Sequence, residues 1–427
     1  MPVTGGRTRG HPVMDDVPGA HAPPLRVPPA PVRAWLALAL SAPVGPSVCR
    51  RLRERFPDPA PLGHLLADAL GGDARTSRAA RTALAGPRGP LTPAHVAALG
   101  ASATGRRVDE TLRWLADDPL ADVVAIDDPR YPAALAETLD PPPVLYLRGA
   151  SETLAGPAVA VVGSRDATHG GREHARRIAA GLAASGVVVV SGLALGLDAA
   201  AHAGALESGG RTLAFMATGA DDIYPRRHRD LAEAMLARGG ALASEFPLRH
   251  PPRPWCFPQR NRLISGASLG VVVVEAKLPS GSLTTARHAL EQGREVMAVP
   301  GAVDNPASAG CHALIRDGAA LVTSANDVLQ TLAAPLARTL AEATASMPLA
   351  TPRPMPPPPP APAPPALQGD AERRIAAGLA SGPATLERLL ERSGLDVVTL
   401  IAALSRLEIA GTIVVDSGGR YAARGTV

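Results

Sequence analysis

Residues 158–166 read AVAVVGSRD, and residues 187–198 read VVVVSGLALGLD. Each stretch begins as a short, continuously apolar run and ends in a turn that contains glycine. Continuous apolar runs of this length are typical of parallel strands that are buried on both faces. Glycine-containing turns that lead from such strands into helices indicate strand–helix–strand units.

The same pattern continues between residues 120 and 330. Ala-rich helical stretches, including 172–184 and 283–292, alternate with β-branched runs. The predicted strands are 159–162, 187–190, 213–216, 241–244, 271–274, 296–299 and 321–322. We therefore predict an α/β fold with a Rossmann-like, doubly wound, mostly parallel sheet.

Segments of different composition flank this sheet. The predicted domains are a disordered lead (1–30), a small helical domain (31–118), the Rossmann-like core (119–335), a Pro-rich linker (336–369) and a C-terminal winged-helix domain (370–427). The turn at 43–46 favours either a helix-hairpin-helix (SAM-like) element or a plain helical bundle. The last domain has three helical segments followed by a β-hairpin pattern, which is a winged-helix arrangement.

The composition excludes several classes of protein. The 427-residue chain has no run of about 18 apolar residues, so we expect no membrane span and a cytoplasmic location. Its three cysteines form no C-x-x-C pair, which predicts neither a metal nor a disulfide framework. The net charge of +4 is mild, so the placement of the cations is more informative than their number. Among 43 basic residues, Lys277 is the single lysine.

Loops that follow the predicted strands have the residues of anion-binding turns. Glycine allows close backbone approach, helix starts offer free N–H groups, and arginine can hold a phosphate with two hydrogen bonds. The candidate residues in these loops are Gly163, Ser164, Arg165, Gly192, Lys277, Ser280, Ser282 and Thr284. Neither a G-x-G-x-x-G nor a G-K-[ST] motif is present, so we predict no nucleotide cofactor.

Asp198 and His202 follow the second predicted strand end. Their spacing is compatible with an acid/base pair. A structural interpretation, in which Asp198 caps the next helix, is favoured.

The segment 249–262 reads RHPPRPWCFPQRNR and is the most basic part of the core. It has four arginines and no acidic residue, and Trp255 and Phe257 lie between them. This combination suits phosphate contact with base stacking on single-stranded nucleic acid. The alternative is a solvated loop whose aromatic rings plug into the core. A second basic cluster begins at Arg226 after Tyr224-Pro225.

Taken together, these motifs resemble the DprA/Smf family of DNA-processing proteins of natural transformation. The motifs in chain order are 161–165, 191–202, 224–225, 244–247, 257–265, 275–276, 280–286 and 299–301. The resemblance spans about residues 125–329 and extends more loosely to the helical and winged-helix domains.

The resemblance implies a non-enzymatic protein that binds single-stranded DNA, protects incoming strands and loads the RecA recombinase. It implies a homodimer formed through the Rossmann-like core and no cofactor. Carried over to this chain, the binding residues are Gly163, Ser164, Arg165, Arg226, Arg260, Asn261, Arg262 and Lys277. The resemblance does not place the dimer or RecA contacts.

Two other functions remain as alternatives. The core is similar to the nucleoside-monophosphate phosphoribohydrolases, but the position of their catalytic glutamate is occupied by Arg287. A guanidinium cannot serve there as general acid or base. The winged helix would suit a duplex-reading regulator if its third helix, 397–408, were rich in base-reading residues. That helix has Arg406 and the acidic Glu408.

Overall fold

The structure is a computed structural model that describes residues 30–41, 46–71, 73–86, 89–346, 369–409, 412–415 and 420–423. The predicted disordered lead except Ala30, residues 43–45 of the predicted turn and most of the predicted linker lie outside these ranges. The chain divides into two compact units, the first ending at Ser346 and the second beginning at Met347.

The first unit begins with a helical domain and continues into the α/β core. The helical domain comprises α1 (Ala30–Leu40), α2 (Pro46–Arg55), α3 (Pro59–Gly71), α4 (Ala74–Ala85), α5 (Pro93–Leu99) and α6 (Ser102–Asp117). The core strands are β1 (Ala121–Ala125), β2 (Val144–Gly149), β3 (Ala158–Val162), β4 (Val188–Ser191), β5 (Thr212–Phe215), β6 (Ala241–Ser244), β7 (Gly270–Val273), β8 (Glu295–Ala298) and β9 (Ala320–Leu321).

Helices alternate with these strands. They are α7 (Ala133–Ala136), α8 (His169–Ala184), α9 (Leu197–Glu207), α10 (Arg229–Ala237), α11 (Cys256–Gly266), α12 (Gly281–Glu291), α13 (Ala309–Arg316), α14 (Ala325–Thr331) and α15 (Ala333–Ser346). Short 3-10 helices lie at Ser151–Leu154, Arg226–His228 and Pro306–Ser308. Every predicted strand is present with ends within one residue of the prediction.

The described strands of the core form one sheet in the order β1-β2-β6-β5-β4-β3-β7-β8-β9. The pairs from β6 to β9 are parallel, and this confirms the predicted mostly parallel α/β sheet. The predicted strand set missed β1 and β2, which are antiparallel to their neighbours at one edge.

The continuous apolar runs are explained by helices on both faces of the sheet. Along β3, Ala160 and Val162 belong to the apolar cluster on one face. Val159 and Val161 belong to the cluster on the other face, together with Ile178 of α8. No position in such a strand meets water, so the alternation of a half-exposed strand is lost.

The chain leaves the centre of this sheet in both directions. From β3 it winds through β4, β5 and β6 on one side, and β7 returns to the other side of β3. The β3/β7 boundary is therefore the topological switch point, where loops diverge and leave a crevice beyond the carboxyl ends of the strands.

The helical domain packs on one face of the antiparallel edge. Trp35 and Leu38 of α1 share an apolar cluster with Val123 of β1 and Tyr146 of β2. The last core helix, α15, extends to Ser346 and thus into the segment predicted as linker from residue 336. The sequence from 336 to 346 is Ala- and Leu-rich without proline, which permits a helix there.

The second unit has α16 (Asp370–Leu379), α17 (Leu386–Ser393), α18 (Val397–Ile409) and an antiparallel pair of β10 (Ile413–Val415) and β11 (Tyr421–Ala423). Ile375, Leu389 and Leu404 lie in its apolar core. This confirms the predicted winged helix. The predicted turn at 417–419 lies outside the described residues.

Within the described ranges, no helix is long and apolar enough to cross a membrane.

Candidate nucleic-acid interface

A cavity of about 770 Å³ opens at the switch point of the sheet. Loops that follow β3, β4 and β7 meet there with the start of α11. Ten of the fourteen residues predicted from sequence line it, namely Gly163, Ser164, Arg165, Phe257, Arg260, Asn261, Lys277, Ser280, Ser282 and Thr284.

The floor of the cavity is built from two closely packed glycine turns. The Ser164 N–H donates to the Glu275 carbonyl (2.8 Å), and the Leu197 N–H donates to the Ser164 carbonyl (3.2 Å). Gly196 has φ +80°, and a Cβ there would lie 2.6 Å from the Arg165 carbonyl oxygen. Glycine is therefore required at this position both for its backbone conformation and for space.

Arg165 lies at the wall of the cavity with its side chain exposed. Its guanidinium carbon is 5.0 Å from the centroid of the Phe257 ring. This places a cation and an aromatic face side by side, the two groups that contact phosphate and base in single-strand binding.

Lys277 lies in the turn after β7 and lines the same cavity as the loop that contains Arg165. Its Nζ donates to Asp166 Oδ2 at 2.8 Å, and both side chains are exposed, by 50% and 89% respectively. The hydrogen bond from Lys277 lowers the pKa of the Asp166 carboxyl. The lysine is therefore paired with a carboxylate of the same cavity.

The start of α12 forms another wall. Ser280 caps the helix by accepting from the Ser282 N–H (3.3 Å), and Thr284 lies on the first turn. The Asn261 amide donates to the Gly281 carbonyl (3.2 Å) and ties this turn to α11. Helix starts of this kind present backbone donors and a positive dipole end to anions.

Arg260 reaches the cavity from below and is 3% exposed. Its guanidinium donates to the Gly192 carbonyl (2.8 Å) and to the Phe215 carbonyl. Burial lowers the pKa of Arg260 to about 10, partly opposed by Asp198, so the group stays charged at neutral pH. Arg260 therefore places a buried positive charge at the cavity and fixes the loops that follow β4 and β5.

Arg262 was predicted to contact phosphate, and the structure places it elsewhere. It forms ion pairs with Glu245 and with Asp140 (3.1 Å), and its side chain is 12% exposed. Residues two apart on α11 point to different faces, so Arg260 and Arg262 cannot serve one site. Arg262 instead ties α11 to the β6 loop and to the segment before β2.

Three other predicted residues lie outside the cavity lining. The Gly192 N–H is engaged by Asp198 Oδ2 (3.1 Å), so it is not free for an anion. Arg226 is exposed on a 3-10 helix and is absent from the cavity lining. Trp255 is 54% exposed and packs edge-on against Phe246, with ring centroids 5.8 Å apart.

Asp198 and His202 are structural. Asp198 also accepts from the Ala194 N–H (3.3 Å), so it closes the loop before α9 rather than capping that helix. His202 accepts from the Leu193 N–H (3.3 Å) and pairs with Thr212 Oγ1 (2.7 Å). Burial raises the pKa of Asp198 and lowers that of His202 to about 3. The pair therefore holds the β4 loop in shape.

Glu275 is the remaining buried carboxylate near the switch point. It accepts from the Thr168 N–H (2.9 Å) and hydroxyl (2.6 Å), which fixes the start of α8. Arg287, at the position of the hydrolase glutamate, lies outside the cavity lining and pairs with Glu291 (3.0 Å). Among the described residues, no group of His, Cys, Asp and Glu is arranged to hold a metal.

The sequence prediction missed two charged residues that line the cavity, Arg253 and Asp166. Arg253 lies in the basic segment, and its exposure at the rim adds a cation. Asp166 directly follows Arg165 in the sequence. An acidic residue next to a predicted anion-binding loop could have indicated that a nearby cation, here Lys277, has a partner within the protein.

Comparison with known proteins agrees with this architecture. The model of the family described as DNA recombination-mediator protein A matches residues 122–333, and that of the DprA winged helix domain matches residues 356–419. The X-ray structure of DNA processing protein A from Streptococcus pneumoniae is similar with a TM-score of 0.55 and 33% identity. It covers 70% of this chain and 97% of that one.

Curated relatives are similar in sequence. Over 205 residues the chain is 43% identical to the DNA processing protein DprA of Streptococcus pneumoniae, covering 48% of this chain and 72% of that protein. Over 227 residues it is 47% identical to Protein Smf of Escherichia coli, covering 53% of this chain and 60% of that protein, which is less than two thirds of its length. The chain belongs to the DprA/Smf family.

Proposed function

We propose that this protein binds single-stranded DNA in the cavity at the switch point, protects incoming strands and loads RecA on them during natural transformation. The observation that carries the proposal is a set of exposed cations that share one cavity with an aromatic ring. Arg165, Arg253 and Lys277 line this cavity together with Phe257, Arg165 lies over the Phe257 ring, and a helix start forms another part of the wall.

The mechanism is electrostatic and steric. Successive phosphates replace the internal partners of the cations, so that Lys277 exchanges Asp166 for a phosphate oxygen. Arg165 moves from the face of Phe257 to a phosphate of the DNA backbone. A base then stacks on the exposed Phe257 ring. Every base has an aromatic face, so such a site binds strands with little dependence on sequence.

A hydrolytic function has less support. General acid/base catalysis needs a carboxylate that is accessible and within hydrogen-bond reach of the substrate. Asp198 and Glu275 are buried and hold backbone or threonine donors. Asp166 is accessible but pairs with Lys277. We therefore propose binding without hydrolysis.

Duplex reading by the winged helix also has less support. Arg406, the basic residue of α18, donates to Glu372 (3.1 Å). Val397 and Ile401, on the same helix, are about half exposed. Such a surface suits contact with protein better than contact with base edges.

The homodimer and the RecA contact enter the proposal from the family resemblance. The two Streptococcus pneumoniae matches named above are DNA processing proteins by name, and in the present chain no residue is assigned to either interface.

The test is fluorescence anisotropy of a labelled oligo-dT against the full-length protein over a salt series. We expect tight binding that falls steeply with salt and is weakly competed by duplex of equal length. Arg165→Ala or Lys277→Ala should each lower the slope of log affinity against log salt by about 0.7, the contribution of one phosphate on a single strand.

Arg287→Ala is the matched control, since it removes one exposed arginine outside the cavity. It should leave affinity and slope near wild type. Unchanged binding in both cavity variants, or a preference for duplex, contradicts the proposed site. Hydrolysis of AMP that is lost in Glu275→Gln would favour the phosphoribohydrolase alternative.

A further inference from the structure

A second basic concavity lies on the helical domain, apart from the cavity of the core. It is a groove of about 740 Å³ between α4 and α5. It is lined by Ala74, Ser77, Arg78, Arg81, Thr82, Ala85, Gly86, Pro93, Val96 and Ala97.

The charged residues of this groove are all basic. Arg78 and Arg81 line it with exposed side chains, and Arg75 precedes them by one helical turn on α4. No ion pair within the described residues engages these arginines. The nearby Asp73 carboxylate accepts from the N–H groups of Arg75 (2.9 Å) and Thr76 (2.8 Å), and so caps the helix instead.

The groove has the shape of a backbone-binding surface. Most of its other lining residues are small, so an extended chain can approach the helix closely. Arg81 Nε donates to the Ala69 carbonyl (3.0 Å), which orients the rest of the guanidinium. Val96 is the largest apolar residue of the lining and is partly buried, so the groove has no aromatic or aliphatic anchor of the kind that protein interfaces use.

The helical domain also contacts the basic segment 249–262, part of which lines the core cavity. Glu110 of α6 forms an ion pair with Arg249 (2.8 Å), the first residue of the segment 249–262. Residues 31–118 hold twelve arginines against eight acidic residues, so this domain is itself positively charged.

We propose that the groove between α4 and α5 is a second phosphate-binding surface for the strand that the core cavity holds. The inference rests on the function proposed above, because it takes the same single-stranded DNA as ligand. Arg78 and Arg81 bind successive phosphates through their planar guanidinium groups. Short strands occupy the cavity alone, and long strands continue onto the helical domain.

The experiment compares a short and a long oligo-dT on the full-length protein. Arg78→Gln/Arg81→Gln should leave the affinity for the short strand unchanged. It should weaken binding of the long strand at low salt by at least about fivefold and reduce its salt slope by about 1.4, two phosphates at 0.7 each. The matched control is Arg316→Gln/Arg338→Gln, which removes two exposed arginines from α13 and α15.

Several results would overturn the inference. They are an unchanged long-strand affinity in the groove variant, an equal loss for both strand lengths, an equal loss in the control variant, or a loss confined to duplex DNA. Circular dichroism with an unchanged melting temperature establishes that the variant is folded. If the wild-type protein fails to bind even the short strand, the proposed function itself is contradicted. Failure of the proposed function is thus distinguished from failure of the inference about the groove.

Discussion

At the scale of single residues, three cations of the cavity have partners within the protein. Lys277 holds Asp166, Arg165 covers Phe257, and Arg260 donates to backbone carbonyls. In the proposed function, a phosphate displaces at least the first of these contacts, and Asp166 competes with DNA for the lysine.

We expect Asp166→Asn to bind single-stranded DNA about two- to fivefold more tightly at low salt, the range that an exposed ion pair contributes. The gain should shrink as salt rises, because screening weakens the pair in the wild type. Anisotropy titrations measure both effects.

The double variant Asp166→Asn/Lys277→Gln tests whether the lysine mediates this gain. If it does, Asp166→Asn adds little in the Lys277→Gln background. Asp317→Asn, which removes an exposed carboxylate from the end of α13, is the control. An equal gain in the control variant would show that overall charge alone is responsible.

Because His202 is buried and neutral, we expect the stability of the core to fall at acidic pH. Its pKa of about 3 lies below the ordinary 6.5, so the neutral ring stabilises the fold above pH 6.5, and this contribution is lost as the pH falls toward 3. Between pH 7 and pH 5 the wild type should lose about 2 kcal/mol of unfolding free energy more than His202→Gln.

Tryptophan fluorescence in urea measures this difference in the first unit, since all three tryptophans lie before residue 347. His169→Gln, which changes an exposed histidine, should keep the wild-type pH dependence. The same pH dependence in all three proteins would exclude His202 as its source.

The candidate site was predictable from sequence where loops follow strands. Gly163, Ser164 and Arg165 come directly after β3, and parallel topology places them at the switch point. Arg262 does not line the cavity, because residues two apart on a helix point to different faces and the sequence alone does not place α11 against its neighbours. The ion-pair partner of a charged side chain depends on tertiary contacts, which a local sequence pattern does not contain. The pair between Arg262 and Glu245 is an example.

At the scale of elements, burial on both faces made the parallel strands visible in the sequence. The antiparallel edge was missed although β2 is also buried on both faces. Leu145 and Leu147 lie in the apolar cluster of the core, and Val144 and Tyr146 lie in the cluster shared with the helical domain. An apolar run of only four residues, without a helical segment to alternate with, is not identified as a strand by periodicity alone.

The third helix of the winged unit makes a prediction at this scale. Because Arg406 is engaged by Glu372, Arg406→Ala should leave affinity for duplex and single-stranded DNA within twofold of wild type. It should lower the stability of this unit by no more than about 1 kcal/mol, since Arg406 is mostly exposed. Hydrogen exchange of α16 and α18 reports the stability change. A large loss of duplex binding would restore α18 as a recognition helix.

At the scale of the whole molecule, changes in composition predict the order of the domains, of which the α/β core and the C-terminal winged helix are confirmed. The predicted end of the core at 335 lies inside α15, which continues for eleven more residues. An Ala-rich segment has no sequence signal that distinguishes a last packed helix from the start of a linker. Proline supplies that signal only from residue 348 onward.

The last prediction concerns assembly. If the protein is a homodimer, as its family resemblance implies, two cavities act on one strand and the second contact benefits from a high effective concentration. Sedimentation at micromolar concentration should then show a species of twice 43.6 kDa.

Dilution below the dimer dissociation constant should weaken binding of long strands and leave short strands unaffected. Binding through two cavities of a dimer therefore depends on protein concentration. Binding through the α4/α5 groove occurs within one chain and does not. A single 43.6 kDa species at every concentration would contradict the dimer, and any gain with strand length would then arise within one chain.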